Sequence, residues 1–233
     1  MNDVPGIAIK DYYEGNRSHK LWIYNTYGNK EIMPVETYFR SYEQMPEIEW
    51  LALEACTGNI LDIGAGAGSH SLVLQQRNFN VTALDISANA CGVMQHRGIN
   101  KVINTNIFSF KQKQFNTLLL LMNGIGIASS LQGLQQLLSH LKSILKPGGQ
   151  ILFDSSDVAY LYPDKKLPQH YYGEIAYEYR YRGKSSGWFN WLYIDKKTMK
   201  RIASTCGFTL QVLYEDADAH YLGKLTLKQS SIQ

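Results

Sequence analysis

A chain of 233 residues with 45% hydrophobic and 18% charged residues holds enough apolar side chain for one sizeable core, which excludes an intrinsically disordered chain. Its net charge of +3 is too small to call for a polyanionic partner. The longest apolar run (residues 117–122), an acidic N-terminal stretch without a leader pattern, and three cysteines (Cys56, Cys91, Cys206) without paired spacing leave no membrane span, secretory signal, disulfide framework or metal site to expect, so a cytoplasmic protein is the expectation.

In chain order, residues 5–14 read as a short helix stopped by Gly15. Residues 20–34 read as a hairpin turning at Tyr27-Gly28-Asn29. Pro34 and Pro46 each suit the first turn of a helix, so 34–45 and 46–57 are expected as two short helices. Residues 1–57 thus form an N-terminal cap, and 58–233 a second domain.

From Asn59 the pattern becomes an alternation. Strands are expected at 59–63, 81–85, 101–105, 115–122 and 150–154, and helices at 67–77 and 88–97. Leu131, Leu134, Leu137, Leu138, Leu141 and Leu145 recur at helical spacing, ended by Pro147-Gly148-Gly149. Such alternation with apolar strands means a parallel sheet covered on both faces. Within an insertion at 156–193, Tyr177, Tyr179 and Tyr181 alternate with Glu178, Arg180 and Arg182 as a strand with an aromatic and a charged face, which 188–194 can pair. Asp195 caps a helix closed by Gly207, and 209–215 with 220–227 form an antiparallel hairpin.

The chemistry-bearing segment is LDIGAGAG, 61–68, at a strand-to-helix turn. Gly64, Gly66 and Gly68 permit a tight bend with no side chain between backbone and ligand, and the helix start behind them favours an anionic group. Asp85 ends the next strand, where an acid accepts hydrogen bonds from ribose hydroxyls. A dinucleotide fingerprint would need its third glycine at 69, which is Ser, so the spacing speaks against a dehydrogenase.

Over residues 55–228 the chain resembles the class I S-adenosylmethionine-dependent methyltransferases, in particular a bacterial subgroup with DYYEG, YFR and MPEIE upstream. The resemblance implies a Rossmann-like fold: seven mostly parallel strands with a C-terminal antiparallel hairpin, helices on both faces, an N-terminal cap and a β-hairpin insertion. It also implies S-adenosylmethionine as methyl donor and S-adenosylhomocysteine as product. The matching turn, Asp62, Gly64, Ala65, Gly66 and Gly68, would hold the methionine part, Asp85 the ribose, and Ile86 would pack on the adenine. Leu145 to Gly149 reproduces a segment frequent before strand five. Where the family has Asp after strand three this chain has Asn106, whose amide oxygen is a weaker acceptor for the adenine amino group; Ile107 would offer its backbone N–H. Asn123, in Met122-Asn123-Gly124, stands where nucleobase N-methyltransferases carry a proline–aromatic motif, and its absence disfavours that reaction; Asn123 borders donor or acceptor, or merely suits a turn.

Methyl transfer is an in-line displacement that requires no particular catalytic residue, so none is assigned. Asp157 and His170 are candidate bases, and Arg40 a candidate for the donor's carboxylate. The cap and insertion, rich in Tyr and Trp, suit a small organic acceptor or simply pack on the sheet. The 9 basic and 3 acidic residues of 165–201 leave RNA or protein as alternative acceptors, and Asn106 leaves a non-catalytic donor-binding module.

Overall fold

The computed structural model describes residues 2–111, 114–162 and 167–228. Helix α1 (Val4–Tyr13) begins where Asp3 accepts from the Gly6 N–H and Pro5 supplies no N–H of its own. Strands β1 (Leu21–Asn25) and β2 (Glu31–Met33) make the expected hairpin. The first of the two expected cap helices is instead a pair of 3₁₀ turns, Val35–Phe39 and Tyr42–Gln44. Arg40 and Ser41 are extended (ψ 141° and 169°) and break it, and Ser41 with Gln44 starts a new turn by reciprocal capping. Helix α2 (Glu47–Glu54) follows Pro46 as expected.

Then come β3 (Ile60–Ile63), α3 (Ser69–Gln76), β4 (Val81–Asp85), α4 (Ala88–His96), β5 (Val102–Asn104), β6 (Phe115–Leu120) and α5 (Leu131–Ile144). The leucine stripe of α5 is buried at Leu134, Leu137, Leu138 and Leu141. Strand β7 (Leu145–Ser156) starts before Pro147, because Leu145 already pairs with Phe115 of β6. The chain continues through β8 (Glu174–Tyr181), β9 (Lys184–Ser185), β10 (Phe189–Leu192), α6 (Lys196–Thr205), β11 (Phe208–Glu215) and β12 (His220–Leu227).

The main sheet has seven strands in the order β11-β12-β7-β6-β3-β4-β5. Pairs β4–β5 and β6–β7 are parallel, while β12 is antiparallel to both β7 and β11. A smaller sheet runs β10-β8-β1-β2, with β9 paired to β8. Here the insertion strand joins the N-terminal hairpin: Trp22 faces Arg180 and Tyr24 faces Glu178. On the expected charged face of β8 only Glu178 is buried, while Arg180 and Arg182 stay about half exposed. Glu178 is 4% exposed, accepts from Ser185 and Arg180, and the Arg180 guanidinium lies 4.2 Å from the centre of the Tyr24 ring. None of the described helices is long and apolar enough to cross a membrane.

Contacts group the chain into two compact units, one of 1–46, 61–110 and 175–190, the other of 47–60, 111–174 and 191–233. In the first, Val4, Ala8, Leu21, Ala67, Ala90, Val93 and Tyr181 share one buried cluster. Gly68 seats the start of α3 against a second buried cluster, that of Ala83, Cys91, Met94 and Ile99, at φ +80°; a Cβ would lie 2.1 Å from Ile99 Cδ1 and 3.0 Å from Met94 Cγ. Gly68→Ala should therefore cost about 2–4 kcal/mol, from left-handed strain and overpacking together, read as a lowered urea midpoint at unchanged m-value.

Candidate functional site

The turn after β3 is built from alternating left-handed glycines: Gly64 (φ +74°), Gly66 (+58°) and Gly68 (+80°). Such angles cost an L side chain about 1–2 kcal/mol, which is why glycine stands at each. The turn is tied to the end of β4: Gly64 and Ala65 N–H donate to Leu84 O at 2.8 and 3.1 Å, and Gly66 N–H donates to Asp85 Oδ2 at 2.9 Å. The other carboxylate oxygen accepts from Ser87 N–H at 2.8 Å. Each oxygen retains a second acceptor direction for a ligand hydroxyl. Burial pushes the Asp85 carboxyl above its usual range, the two N–H donors pull it down, and Asp3 and Asp62 push it up again.

Tyr38 completes this surface. Its ring carbon Cδ1 lies 3.0 Å from where a Gly66 Cβ would be, and its carbonyl accepts from Ser69 Oγ–H at 2.7 Å. Burial and the neighbouring Asp85 hold its hydroxyl up at about 12, so it is a neutral phenol at all ordinary pH. Asp62 sits behind the turn, 2% exposed, accepting from Ser71 Oγ–H at 2.6 Å; it fixes the first turn of α3.

Beyond Asp85 the surface turns apolar. Ile86 is 70% exposed beside the partly buried Asp85. Asn104, opposite Asp85 on β5, donates through Nδ2 to the carbonyls of Asp85 and Ile86 at 3.0 and 2.9 Å and so holds that edge in place. Asn106 accepts from Phe108 N–H at 3.0 Å, Ile107 is buried, and Phe108 is 41% exposed. Gly64, Ala65, Gly66, Asp85, Ile86, Asn106 and Ile107 thus all belong to the two turns after β3 and β4 and the one after β5, within one compact unit. Arg40 lines a shallow pocket of about 290 Å³ with Tyr12, Glu36, Thr37, Phe39 and Gln44 in that unit.

The sequence reading missed Asn104 and Asp3. The signal for Asn104 was its register opposite Asp85 in a parallel pair; the signal for Asp3 was its place two residues before Pro5.

The other unit holds Asn123, at φ +54° after β6. Its N–H donates to the Asp154 carboxylate at 2.9 Å, its amide donates to Leu192 O at 3.2 Å and accepts from Ser155 Oγ–H at 3.0 Å, and its carbonyl accepts from the Trp191 indole at 3.2 Å. Past β7, Asp157 accepts from Tyr172 O–H at 2.8 Å and Ala159 N–H at 3.0 Å. Burial and the Asp157 carboxylate push the Tyr172 hydroxyl well above its usual range, so it remains a proton donor to that carboxylate. The Tyr171 and Tyr172 rings lie 4.8 Å apart, and Tyr171 O–H donates to Asp195 at 2.7 Å. His170 is exposed.

A glycine turn bound to a carboxylate, with an exposed aliphatic edge beyond it, fits an adenosyl amino acid: hydrogen-bonding backbone for one end, acceptor oxygens for the ribose, an apolar shelf for the base. The comparisons agree. A family model described as a methyltransferase domain matches residues 38–213. A crystal structure of an S-adenosylmethionine-dependent methyltransferase from Bacteroides fragilis in complex with S-adenosyl-L-homocysteine is similar at 37% identity and a TM-score of 0.91, over 97% of this chain and 95% of that one. A protein from Pyrococcus horikoshii OT3 follows at 20% identity and 0.63, over 83% and 96%. An S-adenosylmethionine-dependent methyltransferase from Clostridium acetobutylicum follows at 12% and 0.60, over 80% and 94%; these two share the fold. No match was found among curated proteins. With three quarters of its length under the family model and a relative similar along nearly all of it, the chain belongs to the class I S-adenosylmethionine-dependent methyltransferases.

Proposed function

We propose that this enzyme transfers a methyl group to a small organic acceptor by in-line displacement, and that Gly64, Ala65, Gly66, Asp85, Ile86, Asn106 and Ile107 hold the donor. When bound, S-adenosylmethionine supplies an electrophilic methyl on a sulfonium. The carrying observation is the Gly66 N–H···Asp85 bond of 2.9 Å, which joins the turn for the amino-acid end to the carboxylate for the ribose. Asp62 and Gly68 support the turn from behind. Asn123, hydrogen-bonded on all its polar groups, shapes the loop after β6.

A small acceptor is favoured over RNA because the basic segment 165–201 spends part of its charge in internal ion pairs. Arg180 pairs with Glu178, Arg182 with Asp11 at 2.8 Å, and Lys196 with Glu215. Lys165 and Lys166 lie outside the described residues. For a protonated nucleophile, Asp157 is the candidate base carried forward, its orientation fixed by the Tyr172 O–H at 2.8 Å.

Calorimetry with S-adenosylhomocysteine, then transfer of a labelled methyl to a panel of small amines, alcohols and carboxylic acids, tests the reading. Binding without transfer to any small acceptor, together with salt-sensitive RNA binding, would displace it in favour of a nucleic-acid methyltransferase. Once an acceptor is in hand, Tyr172→Phe should lower kcat about tenfold while leaving the S-adenosylhomocysteine affinity unchanged; equal loss of both would remove Asp157 and Tyr172 from the chemistry.

A further inference from the structure

Helix α1 is joined to the Asp85 carboxylate through a single serine. Asp3 Oδ1 accepts from Gly6 N–H at 3.1 Å, capping α1. Its other oxygen accepts from Ser87 Oγ–H and from the Asn89 amide, both at 2.8 Å. Ser87 is itself the N-cap of α4, its Oγ accepting from Ala90 N–H at 2.9 Å, and its own N–H donates to Asp85 Oδ1 at 2.8 Å. A hydroxyl has one proton to give, and here it goes to Asp3, so the cap, the bridge and the carboxylate are set together.

The approach of α1 is as close as chemistry permits. At Gly6 a Cβ would lie 2.0 Å from Ser87 Oγ and 2.2 Å from Asp3 Oδ1. Val4 and Ala8 of α1 and Ala90 and Val93 of α4 pack in the same buried cluster, so the polar bridge is flanked by an apolar seam. Capping of α1 explains one of the four bonds Asp3 receives; the other three come from Ser87 and Asn89, which follow Asp85.

We infer that Asp3 is a positioning residue of the donor site: acting through Ser87, it fixes the carboxylate of Asp85, which makes the N-terminal helix a working part of the cofactor cradle. This rests on the donor site proposed above. Asp3 faces Asp85 from α1, Asp62 from β3, Tyr38 from its 3₁₀ turn and Cys91 from α4, and the charge of Asp3 adds to the upward push on the Asp85 carboxyl.

Asp3→Ser separates this role from capping, since serine caps a helix about as well as aspartate but its short hydroxyl cannot also reach Ser87 and Asn89. In the full chain, Asp3→Ser should weaken S-adenosylhomocysteine about tenfold by calorimetry. The ¹³C carboxyl signal of Asp85 should titrate at lower pH than in the wild type once the charge of Asp3 is gone, which reads the coupling of the two groups, while the affinity reads the positioning. Wild-type affinity in Asp3→Ser, with Asp3→Ala weakened, would mean that Asp3 only caps α1 and would overturn the inference; an unmoved Asp85 titration would do the same. A wild-type protein that fails to bind S-adenosylhomocysteine would instead overturn the donor site, while the Asp85 titration would still read the coupling.

Discussion

Gly66→Val should leave a protein that folds yet has no measurable affinity for S-adenosylhomocysteine, a loss of at least about 100-fold. Three effects act in the same direction. The φ of +58° lies where an L residue costs about 1–2 kcal/mol, more for a β-branched one, so the turn around position 66 has to open. The new side chain begins 3.0 Å from the Tyr38 ring, on the surface proposed for the donor. Opening the turn also pulls the 66 N–H away from Asp85, which accepts it at 2.9 Å. Thermal shift gives a sharp readout, because a ligand at 100 times its Kd stabilises the native state by about 2.7 kcal/mol. The wild type should show that shift and Gly66→Val none, with the ligand-free Tm lowered by a few degrees. Gly68→Ala should behave in the opposite way, losing stability first, because its obstacle is Ile99 and Met94 in the core. Retained affinity in Gly66→Val would put the donor elsewhere on the molecule.

What the sequence made legible, and what it did not, divides along the range of the interaction that decides each feature. The strands and helices from 59 to 156 could be read because parallel strands buried on both faces are continuous apolar runs, and the α5 stripe repeats at helical spacing. The glycine turn could be read because positive φ leaves a compositional mark. The segment 34–45 could not: proline announces a first turn, but nothing in its composition distinguishes one helix from two 3₁₀ turns parted by extended Arg40 and Ser41. The period-two pattern of β8 announced a strand and two faces without naming a partner. Pairing with β1 then put Trp22 and Tyr24 beside Arg180 and Glu178. Asp3 is the extreme case, since its bond to Ser87 spans 84 positions and depends on how α1 lands on α4. Asn104 likewise becomes visible only through the parallel register that sets it opposite Asp85.

Asp85→Asn should lose affinity for S-adenosylhomocysteine by about 100-fold or more while its stability at neutral pH changes little. The folded-state pKa of Asp85 is raised, mainly by burial, so its ionised form is disfavoured in the native protein relative to the unfolded chain. That destabilising contribution is absent below the unfolded value of about 3.9, grows as pH rises from there, and is complete once pH passes the raised folded value. Asparagine removes it. Against this, the amide has one acceptor oxygen for the two N–H groups of Gly66 and Ser87, and a donor left without a partner costs about 1–3 kcal/mol. The two effects oppose each other, hence a small net change in Tm. For the ligand they do not cancel: ribose hydroxyls lose a charged acceptor, each such bond being worth about 1.5–3 kcal/mol, and two of them supply the expected 100-fold. Lowering the pH should imitate the substitution. Wild-type affinity should fall as pH drops through the raised Asp85 value, with Tyr38 neutral throughout at about 12, whereas Asp85→Asn should show a weak and flat profile over the same window. Calorimetry at a series of pH values reads both curves; a wild-type profile as flat as the variant's would mean that the carboxylate at 85 organises the turn without touching the ligand.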